Sequence, residues 1–274
     1  MEKKPLNIVF LIAGSEPLGS AGMQADIKAI TACGGYAACA LTGIVDEDTQ
    51  HVKQIFHLPV DLITSQAESF LGDVGAQCIK TGVLPSAEII RGVAGVLKHY
   101  PESKKVIDPV IVNSKGEQLV SDDAIDAYKD ELFPIATLIT PNRREAEVLL
   151  KRKFTNIHED IKELGAWGNS VIVKSFEYGG MLSDFLYDAT TGKVHEFTKK
   201  RIETNNVNGT GDSFSSAIAT YLAKGLTLIE AVEKGEEFIN KAIALGAEYE
   251  FGHGFGPVHP CFMEEKAVHE RIYN

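Results

Sequence analysis

Short apolar runs rich in Val and Ile recur along this chain, each separated from the next by a stretch with helical spacing. That alternation narrows the fold before any motif is considered. Residues 6–13, 37–45, 77–83, 105–112, 137–140 and 170–174 are strand candidates. Most are nearly continuous in hydrophobicity, as strands covered on both faces are. Between them the spacing predicts helices over 20–33, 59–73, 86–99, 121–133 and 143–150. Ser86 and Ser121 stand at N-cap positions, Asp122 and Asp123 supply first-turn acids, and Pro59 suits a first helical position. Residues 183–189 and 193–198 flank Thr190-Thr191-Gly192 and predict a hairpin with Gly192 at the turn. Beyond it, Phe214, Ala217, Ile218, Tyr221 and Leu222 fall on one helical stripe that Gly225 stops, and a second helix is expected over 228–245. The pattern predicts an α/β fold, a three-layer α/β/α sandwich on a mainly parallel central sheet. No low-complexity tract, repeat or long linker divides the 274 residues, so a single domain spanning 1–274 is expected.

The formal net charge of −11 and the lack of a basic stripe argue against nucleic acid or an anionic membrane as partners. An acidic protein that handles phosphate must concentrate its few cations or recruit a metal. Cys33, Cys39, Cys78 and Cys261 form no CxxC pair and no zinc-ligand spacing, so reduced, buried thiols in a cytoplasmic protein are expected. Met1-Glu2-Lys3-Lys4-Pro5 leads into an apolar stretch too short to span a bilayer, with no small-residue cleavage site after it.

The strongest local signal is Asn208-Gly209-Thr210-Gly211-Asp212, directly ahead of the helix predicted over 213–224. Two glycines let backbone N–H groups approach an anion, and the helix N-terminus adds partial positive charge. Gly209, Thr210 and Gly211 would then cradle a phosphoryl group in transit, and Asp212 would accept a hydroxyl proton. A carboxylate is a weak base, but a loose phosphoryl-transfer transition state needs little early proton removal. Taken alone, the same tetrapeptide reads as a glycine turn with an ordinary helix-capping Asp.

Four segments in order carry a resemblance that decides between these readings. The run Ala13-Gly14-Ser15-Glu16-Pro17-Leu18-Gly19-Ser20-Ala21-Gly22-Met23-Gln24-Ala25-Asp26 resembles the N-terminal signature of the hydroxymethylpyrimidine kinases of thiamine synthesis, in the ribokinase-like superfamily. Thr140-Pro141-Asn142 with Glu145 resembles their TPN segment and the superfamily's NxxE motif. Gly209–Asp212 resembles their anion hole, and Gly252-His253-Gly254-Phe255-Gly256-Pro257-Val258-His259 their C-terminal GHGxGPVH segment. Pyridoxal kinases share that fold, and their pattern also matches Asp108-Pro109-Val110 and Asp212.

The resemblance implies an ATP-dependent kinase acting on the hydroxymethyl group of a small heteroaromatic vitamin precursor, as a homodimer. It implies nucleotide-binding roles for Asn142, Glu145 and Lys174, and Mg²⁺ held by Asp108 and Glu145. Two carboxylates and an amide at strand ends suit magnesium bridged to nucleotide phosphates. Gly14, Ser15 and Val83 are assigned to the substrate pocket, with Asp26 bonding the substrate. Lys199, Lys200 and Arg201 read as a solvated strand end, and His253 and His259 as structural. Gly14 and Gly19 have the wrong spacing for a Rossmann fingerprint, which argues against a dehydrogenase. Retention of Asp212, Asn142 and Glu145 argues against an inactive regulatory relative.

Two departures bear on the substrate. Asp212 stands where the thiamine-type kinases usually carry cysteine, and Val45-Asp46-Glu47-Asp48 replaces their VAQN-like segment. A glutamine amide both donates and accepts, whereas an ionised Glu47 only accepts. That favours the pyridine ring of pyridoxal or pyridoxine, with hydroxymethylpyrimidine as the alternative.

Overall fold

The computed structural model describes residues 5–112 and 118–261; Met1 to Lys4, part of the N-terminal stretch considered above, lie outside them. The elements follow in the order β1 (Ile8–Ser15), α1 (Gly22–Ala32), β2 (Tyr36–Glu47), β3 (Val52–His57), α2 (Val60–Asp73), β4 (Cys78–Thr81), α3 (Ala87–Leu97), β5 (Lys104–Ile107) and α4 (Asp122–Ala127). Then come β6 (Leu138–Ile139), α5 (Arg143–Leu150), α6 (Ile157–Leu164), β7 (Ser170–Tyr178), β8 (Met181–Asp188), β9 (Lys193–Lys200), α7 (Thr210–Ala223) and α8 (Leu228–Gly246). All nine strands form one sheet, ordered β3-β2-β1-β4-β5-β6-β7-β8-β9. Neighbours from β2 across to β7 run parallel, while β3 and the β8–β9 hairpin pair antiparallel at the two edges. The expected three-layer α/β/α sandwich is the observed one.

The continuous apolar runs have the cause expected of them. On β1, Phe10 and Ile12 join a core with Ile63, Ala67 and Ile90 of α2 and α3, while Val9 and Leu11 join one with Phe214, Ile218 and Val232 of α7 and α8. Every residue from Val9 to Ala13 is 0% exposed. Burying one such large side chain stabilises the fold by about 1.5–3 kcal/mol, and β4, β5, β6 and β7 add alternate residues to the same two cores.

Four local features differ from expectation. β3 is exposed along its whole length and of mixed polarity, so it carries no buried-strand signal. α6 offers just three buried side chains, Asp160, Ile161 and Leu164, and begins at Asn156, whose side chain accepts from the His158 N–H. The helix expected over 121–133 is three pieces: α4, a π-helical turn over Tyr128–Leu132, and a 3₁₀ turn over Phe133–Ile135 containing Pro134. Proline removes an N–H donor and forces the change. Ser86 caps α3 through the Ile89 N–H, but Ser121 makes no cap bond; its hydroxyl turns to Asp123.

Candidate active site

The sheet's topology points to one crevice. From β1 the chain moves to β2 and β3 on one side, then returns to add β4 on the other, so the order reverses between β1 and β4. Ligands of open α/β sheets bind at the carboxyl ends of strands beside such a switch. Gly14 and Ser15 end β1, Val83 follows β4, Asp108 follows β5, Asn142 follows β6 and Lys174 lies in β7.

The loop after β1 is organised by a residue that the motif reading left without a role. Glu16 is 5% exposed, and its carboxylate accepts from the N–H groups of Leu18, Gly19 (3.1 Å), Ser20 (2.5 Å) and Ala21 (2.7 Å), and from the Ser20 hydroxyl. Ser15 Oγ accepts from Gln24 Nε2 at 2.7 Å. Gly22 has φ +54, and a Cβ there would lie 2.6 Å from the Gly14 carbonyl oxygen. This loop packs on the segment before α7, where Asn208 Nδ2 donates to Ser20 Oγ at 2.8 Å. Gly209 has φ +73, and a Cβ on it would sit 1.8 Å from the Ser20 carbonyl oxygen. On the other side, Asn208 N–H donates to the Gly256 carbonyl, and Thr49 Oγ1 accepts from the N–H groups of His253 and Gly254. The glycine-rich C-terminal segment thus bridges the β2–β3 turn and the start of α7. His259 also bonds through its backbone, donating to the Ala242 carbonyl.

Asp212 is in the first turn of α7, yet it does not cap the helix: Gly209 occupies the N-cap position with no side-chain bond. Its Oδ2 accepts from the Gly22 N–H at 3.2 Å, and its Oδ1 lies 3.3 Å from Lys80 Nζ. The carboxylate is 17% exposed, at the mouth of the crevice. Gly211 lies against the next pair; a Cβ on it would come 3.4 Å from Lys174 Nζ and 3.9 Å from Asp108 Oδ2.

Lys174 Nζ is 3.6 Å from Asp108 Oδ1, and the Ser215 hydroxyl donates to Asp108 Oδ2 at 3.0 Å. Asn142 and Glu145 form a capping box at the start of α5, and Glu145 Oε1 also accepts from the Ile111 N–H at 3.0 Å. Burial and the neighbouring Asp108 push the Glu145 carboxyl up to about 7 against the pull of Lys174. Two buried carboxylates facing one lysine leave surplus negative charge. Magnesium relieves such a surplus with one or two carboxylates, substrate phosphates and retained waters, and the residues present fit it on those terms. Among the described residues no group of three or more His, Cys, Asp or Glu side chains could hold a metal without a ligand's help.

Several expected positions are revised. Asp26 is 0% exposed; its Oδ1 takes Lys80 Nζ at 2.7 Å and the Ser216 hydroxyl at 2.7 Å, so it lies beneath the crevice rather than against a ligand. Burial pushes its carboxyl up to about 7, with Lys80 pulling the other way. Lys199 is not a solvated strand end: it bridges Asp184 (3.0 Å) and Glu236 and stands over the Phe214 ring, whereas Lys200 and Arg201 are exposed. Cys33 and Cys78 are buried, but Cys39 and Cys261 are exposed. Val83 is half-buried, its carbonyl accepting from the Thr42 hydroxyl at 3.2 Å. Glu47 is half-buried, with Glu16 and Asp48 close enough to act on its carboxyl. Sequence reasoning missed Lys80, Ser215 and Ser216; their one signal was a cationic or hydroxyl residue inside an otherwise apolar strand or helix.

A parallel α/β sandwich with a glycine-preceded acid at a helix start defines a phosphotransferase of the ribokinase-like class. The family model for phosphomethylpyrimidine kinase matches residues 16–259, and the chain belongs to that family. It is 36% identical over 265 residues to a hydroxymethylpyrimidine/phosphomethylpyrimidine kinase of Mycobacterium tuberculosis, covering 93% of this chain and 94% of that one. It is equally identical over 269 residues to a thiamine biosynthesis bifunctional protein of Geobacter sulfurreducens; that match takes in 95% of this chain but just over half, 54%, of that protein. Among solved structures, the ADP complex of Bacillus subtilis pyridoxal kinase superposes with a TM-score of 0.83 at 30% identity, covering 93% of this chain and 97% of that one.

The close approach at Gly209 yields a direct test. Gly209→Ala puts a side chain into both an unfavourable φ and the Ser20 carbonyl, so it should cost more than about 1 kcal/mol of stability. The α7 start should separate from the loop after β1, and kcat should fall by at least about tenfold. Thermal melting and steady-state kinetics on one preparation check both.

Proposed function

We propose that this chain transfers the γ-phosphoryl group of ATP to the hydroxymethyl group of hydroxymethylpyrimidine. The observation that carries the reading is the Asp212 carboxylate beside the glycine loop at the α7 N-terminus, in a chain 36% identical to named hydroxymethylpyrimidine kinases. In this reading Asp212 accepts the substrate hydroxyl proton as oxygen attacks phosphorus and ADP departs with the electron pair. The Gly209-Thr210-Gly211 turn is held by the Thr210 N–H donating to the Val207 carbonyl, and the Gly211 N–H, with Gly209 opening the loop, would meet the transferring phosphoryl oxygens. Lys174 reaches the nucleotide phosphates, and Asn142 and Glu145 fix the α5 start beside them. Asp108 and Glu145 would hold Mg²⁺, which supplies positive charge to the phosphates. Gly14, Ser15, Val83 and Glu47 line the ring pocket.

Pyridoxal, first favoured by Asp212 and Glu47 together, becomes the second reading, supported by the likeness to pyridoxal kinase structures. The preference for it assumed an ionised Glu47. Burial first, then Glu16 and Asp48, raise that carboxyl's pKa above the ordinary value and so favour its protonated form. A protonated carboxyl both donates and accepts, as the glutamine amide does. To the extent that it is protonated, Glu47 offers an aminopyrimidine that same donor and acceptor.

The homodimer belongs to the same proposal. Val52, Ile55 and Phe56 of β3 and Ile44 of β2 are about half exposed or more (49–58%), apolar side chains at an uncovered sheet edge. Light scattering on a chromatographed sample should give twice the monomer mass, and a monomer at micromolar concentration would count against it.

Purified protein with ATP and a panel of hydroxymethylpyrimidine, its phosphate, pyridoxal and pyridoxine tests the substrate. The highest kcat/KM should fall on hydroxymethylpyrimidine, and chelation of Mg²⁺ should abolish turnover. A higher value for pyridoxal would reverse the order of the two readings. Asp212→Asn should lower kcat by roughly 10²–10⁴-fold, the usual contribution of a positioned base. It should lower stability by roughly 1–3 kcal/mol, because the amide keeps one acceptor oxygen but turns its NH2 toward either the Gly22 N–H or the Lys80 ammonium. Retention of more than about a tenth of wild-type kcat would remove Asp212 from the mechanism.

A further inference from the structure

Lys80 lies in β4 with its side chain 0% exposed, and its ammonium is shared between two carboxylates from different helices. Nζ is 2.7 Å from Asp26 Oδ1 on α1 and 3.3 Å from Asp212 Oδ1 on α7. Ser216, one turn along α7 from Asp212, donates to the same Asp26 oxygen at 2.7 Å. The space around the ammonium is closed: a Cβ on Gly82 would meet Ala13 Cβ at 3.1 Å and Lys80 Nζ at 3.5 Å. Burial works against the ammonium, but Asp26, Asp212 and Asp108 outweigh it and hold its pKa above the ordinary lysine value. One carboxylate would suffice to neutralise a buried lysine. The second is Asp212, and it is the exposed member.

We propose that Lys80 is a positioning residue for phosphoryl transfer: anchored by Asp26, its ammonium fixes one oxygen of Asp212 while the Gly22 N–H fixes the other. This rests on the reading of Asp212 as the base. Lys80 keeps its protons throughout, and Asp26 and Ser216 keep it from moving when Asp212 takes the substrate proton. The lysine stem is already immobile within a central strand, so holding the carboxylate costs little further side-chain freedom.

A double-mutant cycle separates this role from charge neutralisation. If Lys80 serves only to neutralise Asp26, removing both should cost nothing beyond removing Asp26. If it positions Asp212, Lys80→Met should still lower kcat in an Asp26→Asn background. The expected fall, relative to Asp26→Asn alone, is about 10- to 100-fold, with KM for ATP and for the hydroxymethyl substrate both within about threefold. The double variant carries a neutral buried pair and should keep a cooperative melt. Equal kcat in Asp26→Asn and Asp26→Asn/Lys80→Met would overturn the proposal. Should the methionine variant fail to fold, Asp26→Asn/Lys80→Gln is read in the same way. Loss of a cooperative melt in both also counts against it, because Lys80 would then be a structural support. Asp212→Asn is measured alongside. If that variant stays active the base assignment fails; if it is inactive while the lysine substitution is silent, this inference alone fails.

Discussion

Two backbone segments 190 residues apart in sequence meet where Gly209 passes the Ser20 carbonyl and Gly22 donates to Asp212. Everything at the crevice depends on that meeting. It requires the left-handed conformation of Gly209 and leaves no room for a side chain there, so the closest approach is main chain to main chain, flanked by the Asn208–Ser20 and Gly22–Asp212 hydrogen bonds. The Glu16 carboxylate stiffens one partner by taking four N–H groups of its loop. The C-terminal glycine segment stiffens the other, with Gly254 and Gly256 each so close to a neighbour that a Cβ would lie 1.9 Å from Thr49 O or Asn206 Oδ1. Main-chain contacts have few degrees of freedom, so the start of α7 is held in a fixed position against the loop after β1.

The charge distribution follows from what those contacts enclose. Asp26, Lys80, Asp108, Glu145 and Lys174 are all buried, and stripping water from an unpaired charge costs several kcal/mol. Lys80 answers Asp26, and Lys174 answers Asp108, which leaves Glu145 and Asp212 in excess. The excess is tolerable because Glu145 is pushed toward its neutral form and Asp212 keeps a solvent-exposed edge. An arrangement with too many carboxylates for its lysines suits a nucleotide that arrives with a divalent cation better than one that arrives bare. A protein of net charge −11 can in this way handle a triphosphate without an arginine cluster.

The layers and the crevice were legible because they rest on periodicity and on strand ends. Val9 to Ala13 read as a doubly covered strand because no polar residue interrupts them, and Asp108 and Asn142, singled out through the family resemblance, each follow such a run. What escaped were side chains whose role depends on a partner far along the chain. Lys80 looks like a flaw in an apolar strand until Asp26 and Asp212 are brought to it. Asp26 was legible as important and misread as a ligand-facing group, since sequence does not tell which side of a pocket wall an acid occupies. Lys199 looked solvated because Glu236, which buries it, lies two elements later. β3 gave no signal, having no buried face to impose one.

Glu47 marks where inference from residue type alone runs out. A carboxylate in water only accepts hydrogen bonds, and on that footing it discriminates against an aminopyrimidine. Here the side chain is half-buried with Glu16 and Asp48 acting on it, and each influence opposes ionisation. Glu16 cannot be moved away, because its own oxygens are committed to holding the loop after β1. The carboxylate that clamps the loop after β1 thus also contributes to the raised proton affinity of Glu47. The protonated fraction of Glu47 offers the same donor and acceptor as Gln and the ionised fraction only accepts, so residue type at that position alone does not separate the two substrate classes. Discrimination must come from the shape of the pocket and from the remaining contacts around the ring.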